Sequence, residues 1–354
     1  MTDWPRLRAD LELVEGYHSP QLDVTVRLNA NESPYPPPPG WWDEVQRELA
    51  AVPFHRYPDR GARSLRDAIA ALHGVRADQV FPANGSNEVL QSVLLAYGGP
   101  GRVALSFEPT YALHSHISHL TATEVVEEER AQDFTLDPAR AAAAVKRWQP
   151  AVTFLCSPNN PTGRVEPPEV VHALLDAGCG VLVVDEAYGQ FSGWSALDLV
   201  ADEVPLVVTR TYSKTWAMAG LRLGYAVGPA TIMAGLDRVA LPYHLDVVKQ
   251  VAGRLALTYR AEMEARVGAL VAERERLAAR LADLPVDSWP SGANFILFRP
   301  RSHKGADVWQ ALVARSVLIR DCSNWPRLEG CLRVTVGTPD EDDAFIAALE
   351  EILT

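Results

Sequence analysis

Apolar residues in the middle of the chain fall into short runs separated by longer segments with helical spacing. The runs are rich in β-branched residues and poor in polar ones, which is typical of strands covered on both faces. These predicted strands are Val103–Ser106, Val152–Cys156, Val181–Val184 and Leu206–Thr209. The helical segments between and around them are Glu88–Ala96, Pro138–Trp148 and Pro168–Ala177. Such alternation predicts an α/β fold with a mainly parallel sheet between two layers of helices.

The pattern changes after Pro242. From Val247 to about Leu284 the chain is rich in Ala, Leu, Arg and Glu and almost free of helix breakers, so we expect one or two long helices. Further elements are then predicted as strands at Phe295–Phe298, Val317–Ile319 and Leu332–Val336, and as helices at Ala306–Ala314 and Asp340–Ile352. A smaller α+β domain, residues 243–354, therefore follows a larger α/β domain, residues 41–242.

Residues 1–40 are predicted to form an irregular arm that packs on the small domain and the active site. Proline is frequent there, and only Val24–Leu28 has strand character. The large domain then begins with helical periodicity at Trp41–Val52 and Ser64–His73.

Composition narrows the possible partners of this 354-residue chain. Its net charge of -12 argues against nucleic acid or an anionic membrane, although a few converging arginines would still suit a small anionic substrate. Neither a signal-peptide layout nor an apolar run long enough to span a membrane is present. The four cysteines lack metal-site or disulfide-framework spacing, so we expect reduced thiols in a cytosolic protein without a metal centre.

Lys214 lies in the run TRTYSKTWAMAGLRLG, Thr209–Gly224, which carries the most specific chemistry in the chain. A lysine that bonds covalently to a carbonyl cofactor needs an uncharged amine, and apolar and cationic neighbours favour that form. Ser213 and Arg222 are spaced to hold a cofactor phosphate beside the amine. A Ser-Lys pair is common, and taken alone this one is also typical of a surface lysine.

Two further motifs follow predicted strands. Asp185 ends an apolar strand, at the edge where open α/β sheets bind ligands, and a carboxylate there would keep a pyridine nitrogen protonated. Tyr188 could donate to the phenolic oxygen of such a ring. The turn Cys156–Gly163, CSPNNPTG, projects Asn159 and Asn160. Helix capping by Asp185 and a generic Asn-Pro turn are the alternatives for the two motifs.

Two polar segments near other strands complete the candidate site. Gly85 and Ser86 precede a helix and would present N–H groups and a hydroxyl to an anion, although ordinary N-capping explains them equally well. Tyr111 follows a strand and would either stack on an aromatic ring or pack in the core.

Taken together, these motifs resemble those of the fold-type-I aminotransferases of classes I and II, and within them the histidinol-phosphate aminotransferase family. The segments that carry the resemblance are Leu28–Pro34, Arg56–Asp59, Ala83–Glu88, Ser157–Gly163, Asp185–Tyr188, the Lys214 run, Leu241–Leu245, Leu318–Asp321 and Gly330–Gly337. The resemblance implies a large domain with a mainly parallel seven-stranded sheet, and pyridoxal 5'-phosphate as cofactor.

The resemblance also implies a role for each cofactor residue. Lys214 would bond to the cofactor and then carry a proton, Asp185 would pair with the ring nitrogen, and Tyr111 would stack on the ring. Asn160 and Tyr188 would bond the phenolic oxygen. The remaining cofactor contacts would be Gly85, Ser86, Asn87, Ser213 and Arg222, with Tyr57 reaching the cofactor of a neighbouring subunit in a homodimer.

Substrate recognition is implied in the same way. Arg333 would take the carboxylate of glutamate and Arg320 the substrate phosphate, since a guanidinium fork matches either anion. Each arginine is also compatible with an ordinary surface ion pair. Tyr17 would close over the phosphate, while Asn29 and Glu32 would organise the pocket and Asn160 would contact the substrate.

The implied activity is exchange of the amino group between L-histidinol phosphate and 2-oxoglutarate in histidine biosynthesis. An aromatic amino acid aminotransferase is a related alternative, and a phosphothreonine decarboxylase would use similar motifs. A pyridoxal-binding domain without activity is the non-enzymatic alternative. The joint presence of Lys214, Asp185, Asn160 and Arg333 argues against it.

Overall fold

The computed structural model describes residues 4–8, 11 and 21–354. In chain order, its strands are β1 (Val26–Leu28), β2 (Val80–Ala83), β3 (Val103–Glu108), β4 (Glu124–Glu129), β5 (Val152–Cys156), β6 (Val181–Asp185), β7 (Leu206–Thr211), β8 (Gly224–Val227), β9 (Val286–Ser288), β10 (Phe295–Pro300), β11 (Val317–Asp321) and β12 (Leu332–Thr335). Its α-helices are α1 (Pro39–Leu49), α2 (Arg63–His73), α3 (Ser86–Tyr97), α4 (Leu113–Leu120), α5 (Pro138–Trp148), α6 (Pro168–Asp176), α7 (Ala230–Val239), α8 (Val247–Ala256), α9 (Arg260–Ala282), α10 (Gly305–Ala314) and α11 (Pro339–Leu353).

The larger sheet has seven strands in the order β2-β8-β7-β6-β5-β3-β4. Strands β7, β6, β5, β3 and β4 run parallel, while β8 is antiparallel to both of its neighbours. The predicted α/β fold with a mainly parallel seven-stranded sheet is therefore confirmed. Register pairs Asp185, the last residue of β6, with Cys156 at the end of β5 and with Thr209 of β7, so these three residues lie side by side near the carboxyl edge of the sheet.

The second sheet has five strands in the order β1-β11-β12-β10-β9. β1 comes from the predicted arm and pairs parallel with β11, whereas the other pairs are antiparallel. Apolar residues of α9, α10 and α11 pack on this sheet and form its core, among them Leu277, Leu312 and Phe345. The arm is thus tied to the C-terminal part of the chain by backbone pairing.

The helical segment predicted from Val247 to Leu284 is two helices, α8 and α9, joined by a 3₁₀ turn at Leu257–Tyr259. Val251 of α8 is buried in one core with Leu65 of α2, next to the larger sheet. Farther along, Leu277 of α9 is buried in the core of the five-stranded sheet. The long helix α9 therefore leads from one core to the other, and the domain boundaries at residues 40 and 242 stay predictions.

The sequence prediction lacks β4 and α4, because the hydropathy patterns of both elements are weak. β4 reads EVVEEE and forms one edge of the larger sheet, where exposed glutamates suit an unpaired edge. α4 reads LHSHISHL, and its apolar stripe is interrupted because polar His114 and Ser118 are among its buried residues. Within the part of the chain that the structure describes, no helix is long and apolar enough to span a bilayer.

Gly224, at the start of β8, provides a test of the packing between the larger sheet and helix α3. A Cβ atom at Gly224 would lie 2.4 Å from the Ser86 nitrogen and 2.6 Å from the Gly85 carbonyl carbon. Because both neighbours are backbone atoms, Gly224→Ala must displace the start of α3. We expect a loss of about 1–3 kcal/mol in the free energy of unfolding, measured in urea.

The matched control is Gly268→Ala, within α9, where an added Cβ has no neighbour within 4 Å. Replacing a helical glycine in open space should raise the free energy of unfolding by roughly 0.5–1 kcal/mol. Equal stability of the two variants would contradict the close approach of β8 to α3.

Candidate active site

A cavity of about 520 Å³ lies where the carboxyl ends of the larger sheet face the five-stranded sheet and the arm. The larger sheet and its loops contribute polar residues that include Asn160, Asp185 and Lys214. Arg333 enters from β12, and Trp325 from the loop between β11 and β12. The arm adds the segment Asn29–Glu32. Residues far apart in the sequence therefore meet in one concave site.

Lys214 is half-buried in this cavity, and the pKa of its amine is lowered. Its Nζ donates to the Ala30 carbonyl oxygen at 2.9 Å and lies 5.8 Å from the centre of the Tyr188 ring. Desolvation, reinforced by the nearby positive charge of Arg333, lowers the pKa of Lys214 to about 7. A large fraction of this amine is therefore uncharged and nucleophilic near neutral pH.

Asp185 ends β6 and is 1% exposed, yet its carboxylate is well supplied with donors. Oδ1 accepts from Thr209 Oγ1 at 3.0 Å and from the Ala187 N–H at 3.1 Å. Oδ2 lies 3.2 Å from Nε2 of His114. The imidazole of His114 is stacked on Phe154 with ring centres 4.7 Å apart. These contacts fix the carboxylate at the sheet edge, aimed into the cavity.

Tyr188 is held from the arm side. Its hydroxyl accepts from Asn31 Nδ2 at 2.9 Å, and burial raises its pKa to about 12, so the phenol stays protonated. Asn31 has a positive φ of 54° and pairs with Thr335 through both its N–H and its Oδ1 at 3.0 Å. The phenolic proton of Tyr188 is therefore available to an acceptor in the cavity.

Arg333 is 5% exposed and joins three parts of the chain. Its Nη1 donates to Asn160 Oδ1 and its Nη2 donates to the Asn29 carbonyl oxygen at 2.9 Å. A guanidinium has five N–H donors. Each terminal nitrogen has a second N–H, so the fork keeps donors for a ligand, while the buried Nε has no hydrogen-bond partner in the described ranges.

The opposite end of the cavity is built to receive an anion. Gly85 precedes α3 with φ 80°, and the Arg222 guanidinium packs against it so closely that a Cβ there would lie 3.0 Å from Nη2. Arg222 Nη1 donates to Ser213 Oγ at 3.3 Å. The first N–H groups of α3, beginning at Ser86, face the same space.

Tyr111 and Asn87 form one wall of the cavity. The Tyr111 hydroxyl donates to Asn87 Oδ1 at 3.2 Å, and the ring meets His114 edge-on. Asn159, in contrast, is turned into its own loop, where Oδ1 accepts from Thr110 and Nδ2 donates to the Pro109 carbonyl. Of the two adjacent amides in the Asn-Pro turn, only Asn160 reaches the cavity.

Two predicted site residues, Arg320 and Tyr57, do not line the cavity, and the position of a third is not described. Arg320 is buried beside the cavity, with its guanidinium 5.6 Å from the centre of the Trp325 ring, and Trp325 lines the cavity in its place. Tyr57 is 80% exposed and stacks on Tyr243, on the outside of the chain. Tyr17 lies outside the described residues.

Sequence reasoning missed several residues of the site. His114 gives no motif, since a histidine in an apolar stripe is also typical of a core position, and only the fold brings it to Asp185. Asn31, between Asn29 and Glu32, was not predicted as a site residue. Asn adopts a positive φ more readily than most residues, which suits the backbone conformation of Asn31. Arg27 and Trp325 also line the cavity. The sequence signal for Arg27 is a charged residue between apolar Val26 and Leu28 in a segment with strand character.

The chain resembles known proteins along nearly its whole length. The model for class I and II aminotransferases matches residues 23–349. Histidinol-phosphate aminotransferases from Frankia casuarinae and Mycobacterium marinum are 47% and 46% identical to it, covering 98% of this chain and 90% and 92% of the relatives. The chain therefore belongs to the class I and II aminotransferases.

A solved structure agrees in fold. The complex of Sinorhizobium meliloti histidinol-phosphate aminotransferase with pyridoxal-5'-phosphate matches with a TM-score of 0.88 at 22% identity, covering 99% of this chain and 98% of that chain. The fold is that of the type I pyridoxal-phosphate enzymes.

The cofactor is pyridoxal phosphate, and the cavity has the groups that this molecule requires. It holds an amine of lowered pKa, a buried carboxylate and an anion-binding end without a Cβ at Gly85. No group of three or more His, Cys, Asp or Glu residues in the described chain is arranged to hold a metal ion. The protein is a pyridoxal-phosphate-dependent transaminase.

The lowered pKa of Lys214 can be measured by amine labelling of the cofactor-free protein. The chain has four lysines, Lys146, Lys214, Lys249 and Lys304, so peptide mapping after brief treatment with acetic anhydride resolves each one. Because only the uncharged amine reacts, acetylation of Lys214 should rise with a midpoint near pH 7.

The exposed Lys304 serves as the internal reference in the same digest. Its acetylation gives the reactivity of an exposed lysine at each pH, against which the Lys214 curve is compared. Parallel curves for the two lysines would contradict the desolvation of the Lys214 amine.

Proposed function

We propose that this transaminase exchanges the amino group of L-histidinol phosphate with 2-oxoglutarate in histidine biosynthesis. One observation carries this choice: Arg320 and Arg333 lie directly opposite each other on β11 and β12, beside the cavity that holds Lys214. Two neighbouring guanidinium groups suit a phosphate, and one alone suits a carboxylate. The names of the relatives at 47% and 46% identity support the same substrate.

Binding of the cofactor is assigned to groups at both ends of the cavity. Gly85, Ser86, Ser213 and Arg222 would hold its phosphate, with Asn87 and Tyr111 beside the ring. When bound, pyridoxal phosphate supplies an electron sink that eases loss of the proton from the substrate α-carbon. Asp185 would hold a proton on the ring nitrogen, because its carboxylate is buried, anchored by Thr209 and oriented by His114.

The proton transfer is assigned to Lys214. With a pKa near 7, its Nζ can accept the α-proton as a base and release it again at neutral pH. The Ala30 carbonyl keeps Nζ in the cavity at 2.9 Å. Asn160 and Tyr188 would donate to the phenolic oxygen, while Asn160 also keeps Arg333 in place for the substrate.

Assembly as a homodimer is part of the proposal. Phe54, Tyr57 and Leu241 are 64%, 80% and 76% exposed, and Tyr57 stacks on Tyr243, so an aromatic and aliphatic patch faces outward. A second copy covering this patch would bring Tyr57 to a neighbouring cavity. The four buried, unpaired thiols fit a reducing cytosol.

Arg320→Gln tests the substrate. Loss of one charge-assisted contact to a dianionic phosphate should cost roughly 1.5–3 kcal/mol, and therefore lower kcat/KM for histidinol phosphate about 10- to 100-fold. The glutamate half-reaction should change much less. Single-turnover absorbance measurements of the two half-reactions separate these effects.

Arg301→Gln is the control, since Arg301 follows β10 and pairs with Asp287 at the surface. An equal loss for histidinol phosphate and glutamate in Arg320→Gln would remove the phosphate assignment.

Wild-type preference for phenylalanine would favour an aromatic aminotransferase. Release of carbon dioxide without use of 2-oxoglutarate would reveal a decarboxylase.

Mixing two defective variants tests the shared site. Lys214→Ala should be inactive and Tyr57→Ala should bind the cofactor weakly, so each alone has little activity at limiting cofactor. If Tyr57 acts across the dimer, subunit exchange creates one intact site per heterodimer and restores about a quarter of wild-type activity. No recovery after exchange, verified by mass spectrometry of the mixed dimers, would mean that Tyr57 does not complete a partner site.

A further inference from the structure

Arg27 is a cation in the cavity wall, and the proposed function assigns it no role. It lies at the centre of β1, is exposed, and lines the same cavity as Lys214 and Arg333. Across the described ranges it forms no hydrogen bond or ion pair, whereas Arg333 has two oxygen partners. An arginine that faces a ligand cavity without a counter-charge is available for an anionic ligand.

Strand register fixes where Arg27 points. Its neighbours Val26 and Leu28 are buried in the core of the five-stranded sheet, so Arg27 projects from the opposite face. Its partner on β11 is Leu318, two residues before Arg320, which in turn lies opposite Arg333. Residues paired across two strands point to the same face of a sheet, and so do residues two positions apart on one strand. All three arginines therefore project from the cavity side of the sheet.

The spacing suits a ligand with two anionic ends. Arg27 and Arg333 stand on strands separated by β11, which places their backbones about 10 Å apart across the sheet. Long side chains can converge from this distance on the two ends of a small molecule. Arg27 therefore reaches the cavity at a point distinct from the Arg333 fork.

The two substrates of the proposed function pose a recognition problem that this spacing would solve. Histidinol phosphate has one anionic group, whereas glutamate and 2-oxoglutarate have a second carboxylate three carbons from the first. If Arg333, with Arg320, takes the phosphate or the first carboxylate, the distal carboxylate still needs a cation. An imidazole ring in the same place needs none.

We propose that Arg27 binds the distal carboxylate of glutamate and 2-oxoglutarate, and so selects the dicarboxylate partner of the reaction. The inference rests on the proposed function for the identity of the second substrate. Because Arg27 lies at the cavity wall, its side chain can approach a bound dicarboxylate. When histidinol phosphate binds, the imidazole ring would occupy that space instead.

Binding of unreactive acids to the holoenzyme tests the proposal directly. Glutarate has two carboxylates with the spacing of 2-oxoglutarate, and pentanoate lacks the second one. By titration calorimetry, Arg27→Gln should weaken glutarate binding roughly 10- to 100-fold and leave pentanoate binding unchanged. Arg27→Lys, which keeps the charge without the planar fork, should fall between wild type and Arg27→Gln.

Arg301→Gln controls for the loss of one positive charge from the same sheet, and should change neither affinity. Thermal unfolding of each holoenzyme shows whether the variants are folded. Wild-type glutarate affinity in a folded Arg27→Gln protein would overturn the proposal. So would an equal loss for glutarate and pentanoate, because Arg27 would then act on the first carboxylate.

Half-reaction kinetics separate this inference from the proposed function. Arg27→Gln should lower kcat/KM for glutamate roughly 10- to 100-fold while that for histidinol phosphate stays near wild type. A larger loss for histidinol phosphate would assign Arg27 to the phosphate and overturn the proposal. Failure of the wild-type enzyme to use histidinol phosphate would refute the proposed function alone, since the glutarate and pentanoate comparison does not involve that substrate.

Discussion

The site depends on one buried guanidinium. Arg333 stands on β12 of the five-stranded sheet, donates to Asn160 in a loop of the larger sheet, and donates to the Asn29 carbonyl in the arm. The arm shares the apolar core of the five-stranded sheet and the larger sheet has separate cores, but this residue joins the three parts at one point. A buried charge is costly unless it is hydrogen-bonded, so the two acceptors stabilise one relative arrangement of the parts. Desolvation and then the same charge lower the pKa of Lys214, which couples the geometry of the cavity to its reactivity.

Local charge explains how an acidic chain can handle acidic substrates. The net charge is -12, yet Arg27, Arg222 and Arg333 line one cavity together with Lys214. Buried Asp185 accepts hydrogen bonds from the Ala187 N–H and the Thr209 hydroxyl in place of solvent. The exposed Glu32 partly offsets the positive field by raising the pKa of Lys214. Polar groups are concentrated where ligands bind, while apolar groups fill the cores of the two sheets.

How far the sequence predicts this site depends on how local each signal is. Asp185 and Lys214 follow apolar strands within a few residues, so their motifs are readable from the sequence, and the central strands were predicted nearly to their ends. His114 could not be predicted, because its importance arises from a contact with Asp185, 71 positions away. β4 was missed because an edge strand needs no apolar alternation. Arg320 is recognisable from its motif, but the presence of Trp325 in the cavity wall beside it depends on the conformation of the loop between β11 and β12.

Arg333 also shows why an incompletely paired group is informative. Two of its five N–H donors are used by Asn160 and Asn29, and Nε has no partner in the described part of the chain. Buried polar groups are almost always hydrogen-bonded, so a rigid fork with free donors indicates the position of a ligand. Asn160 and Asn29 each accept from one terminal nitrogen, which leaves the second N–H of each nitrogen for a bound carboxylate or phosphate. The contacts that hold the three parts together therefore also orient the guanidinium that would bind the substrate, and a change in either acceptor would alter both.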